Sequence, residues 1–168
     1  MIEFMIISLP RSGSTWASNW LSTDDTLCIH DPLYKYHYND LDNIKSKKRL
    51  GLSCTGLWNF PNYVNNHKAK KVIIHRDIRE VNHSLDRLGL PMIPENSGEK
   101  LKQIEGEHYH WRDLFDKPKG IYEYLLDKKF DKERHEQLKG LVVTPDYQAV
   151  KVNKEVTKAL INEMLACL

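Results

Sequence analysis

The chain reads as one α/β domain of three layers, a central and mostly parallel sheet flanked by helices. Two observations predict this. Apolar runs of strand length alternate with segments whose apolar residues recur every three to four positions, and two of the clearest runs feed directly into such a segment. A length of 168 residues suits one domain, with 40% hydrophobic residues, 4 Trp and 8 Tyr to fill its core.

The elements follow in order. "IEFMIIS" is a buried strand; the apolar run Met5 to Leu9 follows Glu3 rather than a basic segment and ends at Pro10 and Arg11, so it is read as a strand and not a signal peptide. "STWASNWLS" is a helix, with Trp16, Trp20 and Leu21 at helical spacing. "TLCIH" is a short strand that stops at Asp31 and Pro32, and "LYKYHYNDLDNI" has weaker helical character. "RLGLSCTGLW" contains a strand, "NFPNYVNNHK" a short helix, and "KKVIIHR" the clearest strand after the first. Ile78, Val81, Leu85 and Leu88 then mark one face of a helix ending at Gly89. Beyond the loop "GLPMIPENSG", the stretch from Glu99 to Leu138 is expected to be mostly helical, with its charge run facing solvent. "GLVV" is expected to be a late strand, and Asn153 to cap a last helix carrying Val156, Leu160, Ile161 and Met164. The expected organisation is a single domain over 1–168: chemistry-bearing motifs in 4–88, a helical acceptor-side region at about 89–139, and the late strand and last helix in 140–168.

Charge and cysteines narrow the classes. A net charge of +2 from 25 basic and 23 acidic residues is too even to argue for nucleic acid, so any anion site must be local. Three separated cysteines without a C-x-x-C pair suggest neither a disulfide framework nor a zinc site, and a cytoplasmic location is expected. No apolar run approaches the roughly 18 residues of a membrane span, so no membrane partner is expected.

The loop "SLPRSGSTW" joins a buried strand to a helix, where backbone N–H groups and the helix dipole make a natural phosphate site. Gly13 allows close approach, Ser12, Ser14 and Thr15 add hydroxyls, and Arg11 offers a planar cation. A tight turn with Ser14 as helix cap is the bland alternative. The loop lacks the Gly-Lys-Ser/Thr of nucleoside triphosphatases and any cysteine nucleophile, so the fold is best described as P-loop-like. Further on, Arg76 leaves a strand end and Ser84 lies eight positions later, two turns up the next helix. On its own that pair is commonly solvated.

Together the two segments resemble the sulfotransferases that use 3′-phosphoadenosine 5′-phosphosulfate (PAPS), with the present chain a short member closest to the carbohydrate and bacterial branches. Pro10, Arg11, Ser12, Gly13, Ser14, Thr15 and Trp16 match the family's P-[KR]-[ST]-G-[ST]-[ST]-W motif, which holds the 5′-phosphosulfate. Arg76, Asp77, Arg79 and Ser84 match its R-D-P-R-x-x-x-x-S motif, which holds the 3′-phosphate, with Ile78 in place of the proline. In "CIHDPLY", Asp31 stands where those branches carry a glutamate base, and His30 is its rival, since other branches use histidine. Neighbours in an extended strand point to opposite faces, so only one of the two is expected in the site.

The resemblance covers residues 4–88 and implies transfer of a sulfuryl group from PAPS, leaving PAP, to a hydroxyl or amine of a small-molecule or carbohydrate acceptor, with no metal. The family's late R-K-G-x-x-G-x-x-K segment has no counterpart; "KPKGIY", with Lys117, Lys119 and Gly120, is only a loose echo. So short a chain admits an open acceptor pocket or a homodimer that completes the site. The competing readings are a divergent phosphoryl-transfer enzyme using magnesium at Asp77, and a non-catalytic binding module. Tyr34, Tyr36 and Tyr38 are expected to divide between core and pocket. His37 and His110 are candidate acceptor-side residues, and His108 with His110 is too sparse a set for a metal.

Overall fold

The computed structural model describes residues 1–141 and 153–166. Its strands are β1 (Ile2–Ser8), β2 (Thr26–His30), β3 (Arg49–Cys54), β4 (Lys70–His75) and β5 (Glu107–His110). They form one sheet in the order β2-β3-β1-β4-β5, with every pairing parallel. The helices are α1 (Ser14–Leu21), α2 (Pro61–Asn66), α3 (Ile78–Asp86), α4 (Ser97–Lys102), α5 (Asp113–Asp116), α6 (Pro118–Leu126), α7 (Lys132–Lys139) and α8 (Lys154–Ala166). The arrangement is consistent with a three-layer P-loop-like fold.

Side-chain alternation along the central strands builds the layers. Phe4 and Ile6 of β1, with Val72 and Ile74 of β4, pack into one apolar cluster with Trp16 and Trp20 of α1 and with Leu114, Ile121 and Leu125 of α5 and α6. Met5, Ile7 and Ile73 point the other way, into a cluster with Val64, Val81, Leu85 and Leu101 of α2, α3 and α4. Ile2 joins this second cluster, out of step with Phe4, because the β1–β3 register shifts between them. The Phe4 ring lies over Gly51 so closely that a Cβ there would stand 2.0 Å from it.

One expectation needs correction. "EHYH" is not helical but forms the edge strand β5; its residues are exposed apart from half-buried Tyr109, so no apolar run marks it. The weaker helical character expected after β2 takes the form of two 3-10 helices, Pro32–Tyr34 and Tyr38–Asn43. "KPKGIY" is the start of α6, with Lys117 paired to Asp113 at 3.5 Å. The late strand expected in "GLVV" lies, from Val142 on, outside the described residues. Asn153 does cap α8: its side-chain oxygen accepts the N–H groups of Glu155 and Val156 at 3.2 Å. Among the described residues no helix is long and apolar enough to cross a membrane.

Candidate functional site

The sheet order decides where the motifs meet. β1 and β4 are neighbours, with Ser8 opposite Ile74, so the loop after β1 and the residues after β4 emerge side by side at the carboxyl edge. The chain turns to opposite sides of the sheet here, which is where α/β folds hold ligands. Arg11 Nε donates to Ser84 Oγ at 3.1 Å, and Arg76 donates through Nη1 to the carbonyl of Arg11. Both arginines and the serine are thus brought together. Arg76 is steadied by Glu80 at 3.0 Å and lies 4.6 Å from the centre of the Trp111 ring.

The loop itself has the features of an anion site. Arg11 and Gly13 adopt positive φ, 62° and 87°. Gly13, rather than Ser14, is the cap of α1, and no side chain caps the helix. The N–H groups of its first turn therefore have no intrahelical partner and face the loop, at the positive end of the dipole. The positive φ at Gly13, together with a Cβ contact of 3.1 Å to Leu114, favours glycine there.

Not every motif side chain turns toward a ligand. Ser12 is buried and bonds Pro10 O at 3.4 Å. The Trp16 indole N–H donates to Leu138 O at 2.9 Å, and its ring packs on Trp20 and Phe115. What Trp16 offers a ligand is its backbone N–H. Arg11, Gly13, Ser14 and Thr15 border a pocket of about 220 Å³ together with Phe115 and Lys139. Lys139, at the end of α7, is a cation that sequence reasoning missed; only tertiary folding brings it to the loop.

On the other side stand His30 and Asp31. His30 Nε2 lies 3.1 Å from both Ser14 Oγ and Thr15 Oγ1, and 3.2 Å from Asp31 Oδ2. The expectation that the two side chains point to opposite faces fails, because Asp31 is not extended: its φ is 41°, and its carboxylate lies beside His30. All three oxygens crowd one nitrogen, so this is no relay in which the carboxylate orients one ring nitrogen while a hydroxyl uses the other. Asp31 Oδ1 also accepts Thr55 N at 2.6 Å and Thr55 Oγ1 at 3.0 Å. Thr55, just beyond β3, was likewise not singled out from sequence.

Asp31 lines a second cavity of about 240 Å³, enclosed by Leu33, Trp58, Phe60 and Ile93 and by Leu160 and Met164 of α8. Pro10 of the loop borders it too, so the cavity and the anion pocket adjoin.

The remaining candidates have the following contacts. Asp77 caps α3, accepting Arg79 N at 2.8 Å, and this hydrogen bond holds its carboxyl below the usual range. Tyr38 stacks on Phe60 at 4.2 Å, while Tyr34 and Tyr36 are exposed. His37 pairs with Glu163 of α8 at 2.8 Å, and His110 is exposed on β5. His75 and His108 stack, with 2.7 Å between His75 Nε2 and His108 Nδ1. Among the described residues no group of three or more His, Cys, Asp or Glu side chains could hold a metal ion. Burial pushes the thiols of Cys28 and Cys54 far up, so neither is a nucleophile. No model of a known protein family matches the chain, and no curated protein matches it.

Proposed function

We propose that the chain is a sulfotransferase that moves a sulfuryl group from PAPS to a hydroxyl of a small-molecule acceptor. One observation carries the reading: Arg11, Arg76 and Ser84, from three segments, meet at the carboxyl ends of adjacent strands, with Asp31 and His30 on the far side of the same loop. PAPS would supply the activated sulfuryl group and leave as PAP.

The chain's own part is to bind and to move a proton. Arg11 and the first-turn N–H groups of α1 would stabilise charge growing on the departing 5′-phosphate, with Lys139 as a further cation. Arg76 and Ser84 would hold the 3′-phosphate through charge-assisted hydrogen bonds. Asp31, at the wall of the adjoining cavity, would accept the acceptor's proton. His30 would position it and the Ser14 and Thr15 hydroxyls through one ring nitrogen. Buried, free Cys28 and Cys54 fit a reducing cytoplasm as the compartment.

Calorimetric titration with 3′,5′-adenosine bisphosphate beside 5′-AMP, ADP and ATP-magnesium tests the reading. Preference for the bisphosphate, lost in Arg76→Ala, is the expected result. Equal binding of nucleotides with and without the 3′-phosphate contradicts it, and binding of ATP only with magnesium replaces it with phosphoryl transfer. Tight bisphosphate binding without turnover on any acceptor leaves a binding module.

A further inference from the structure

The cavity beside Asp31 carries information about the acceptor. Its walls are the Pro32–Tyr34 turn, the segment from Cys54 to Phe60, Ile93, and the inner face of α8. Asp31 is its one charged side chain among the described residues. Trp58, Phe60, Leu33, Ile93, Leu160 and Met164 make the rest of the lining largely apolar.

Three of the polar side chains on the wall already bond within the protein. Thr55 Oγ1 donates to Asp31, Asn59 Nδ2 to Gly56 O at 3.2 Å, and Thr157 Oγ1 to Asn153 O at 2.9 Å. A sugar would bring a hydroxyl on nearly every carbon, more than so apolar a wall can partner. A ligand with a single hydroxyl meets no such conflict: its polar end faces Asp31 and its body replaces water against aromatic and aliphatic walls. Size sets a limit as well. About 240 Å³ lies below the roughly 300–1,000 Å³ of drug-sized sites.

We infer that the acceptor is a small, largely apolar alcohol or phenol, seated in the cavity under α8 with its hydroxyl on Asp31, and not a carbohydrate. The inference rests on the sulfotransferase reading for the word acceptor; the ligand class rests on the cavity alone. In the transfer, the oxygen of the hydroxyl forms its bond to sulfur as the bond from sulfur to the 5′-phosphate oxygen of PAPS breaks. The hydroxyl proton passes to Asp31 and the electron pair leaves with PAP.

The test is calorimetry with 2-naphthol, glucose and phenethylamine, each titrated into the full chain with and without saturating 3′,5′-adenosine bisphosphate. It is repeated in Met164→Trp and Ile93→Phe, which fill the cavity from α8 and from the loop before α4. If one variant does not fold, the other reports. Expected are binding of 2-naphthol but not of glucose, at least tenfold weaker binding in the variants with bisphosphate affinity unchanged, and naphthyl sulfate on addition of PAPS. Glucose binding as well as 2-naphthol, phenethylamine binding better, or naphthol affinity unmoved by both variants would overturn the inference. Naphthol binding lost in the variants, without any bisphosphate binding, would refute sulfuryl transfer while upholding the cavity's ligand class.

Discussion

Asp31 combines two demands that rarely share a residue: a left-handed backbone, with φ of 41°, and a carboxylate held by Thr55 and His30. Asparagine tolerates that backbone region nearly as well as aspartate, so Asp31→Asn is a mild change for the fold and a severe one for proton transfer. Turnover should fall by about 10²–10⁴ with bisphosphate affinity and the melting temperature little changed; a parallel loss of binding or of fold would mean that Asp31 acts structurally. Arg76 is the opposite case. Its guanidinium reaches the Arg11 carbonyl, Glu80 and the Trp111 face at once, and a lysine ammonium lacks the planar fork to do so. Arg76→Lys should weaken bisphosphate binding by about 10–100-fold, the scale of one or two charge-assisted hydrogen bonds, while Ser84→Ala costs less than Arg76→Lys. Titration of the two variants side by side checks the order. Arg11, Arg76 and Ser84 were legible in the sequence through the resemblance of their two motifs taken together, since the spacing of Arg76 and Ser84 alone is a weak signal. Lys139, Thr55 and Trp111 were not, since each reaches the site through contacts between segments distant in sequence.

At the scale of elements, what sequence shows depends on burial. The continuous apolar runs of β1 and β4 are signals of strands covered on both faces. The edge strand β5 sends that signal nowhere: of Glu107 to His110 only Tyr109 is even half buried, so it read as part of a helical region. Packing between strands is equally silent in sequence. At Gly51 a Cβ would meet the Phe4 ring at 2.0 Å, both on paired central strands, so Gly51→Ala should destabilise by about 1–3 kcal/mol in urea unfolding. Phe4→Leu in that background should restore part of the loss, which a purely conformational effect at residue 51 would not allow. Where β4 meets β5, His108 Nε2 lies 2.9 Å from Ile104 O, a carbonyl that can only accept. His108 Nδ1 is then the acceptor and His75 Nε2 the donor of their shared bond. Burial first, and then the neighbouring His108, hold His75 below its ordinary value of 6.5. The folded chain thus binds fewer protons than the unfolded one just below that pH. The stabilisation is fully present above about 6.5 and is lost as pH falls toward the folded value. The melting temperature should therefore drop between pH 7.5 and pH 5, and drop less in His75→Asn.

For the whole molecule, alternation of strands and helices was enough to announce a parallel sheet in three layers, but the strand order was not written in any one segment. That order places the Arg11 loop beside Arg76 and sets β2, with His30 and Asp31, two strands away from β1. Pro10 borders the apolar cavity and Arg11 the other pocket, so the two voids meet one loop at neighbouring residues. The cavity has one wall unlike the others. Leu160 is buried, yet α8 belongs to neither apolar cluster; Asn153 N–H on Tyr34 O at 2.9 Å and Glu163 on His37 at 2.8 Å help fasten it. Packed, among the described residues, outside both apolar clusters, α8 should open at a lower free energy than the sheet beneath it. Its amides should exchange with solvent faster than those of β1, and Leu160→Ala should speed α8 exchange at least tenfold while the global urea midpoint barely moves. If α8 instead exchanges only with global unfolding, it is a fixed wall, and an acceptor must reach Asp31 by another route. If it opens locally, and a ligand such as 2-naphthol slows that opening, then the helix that shapes the cavity also gates it, and release of product becomes a step that α8 can limit.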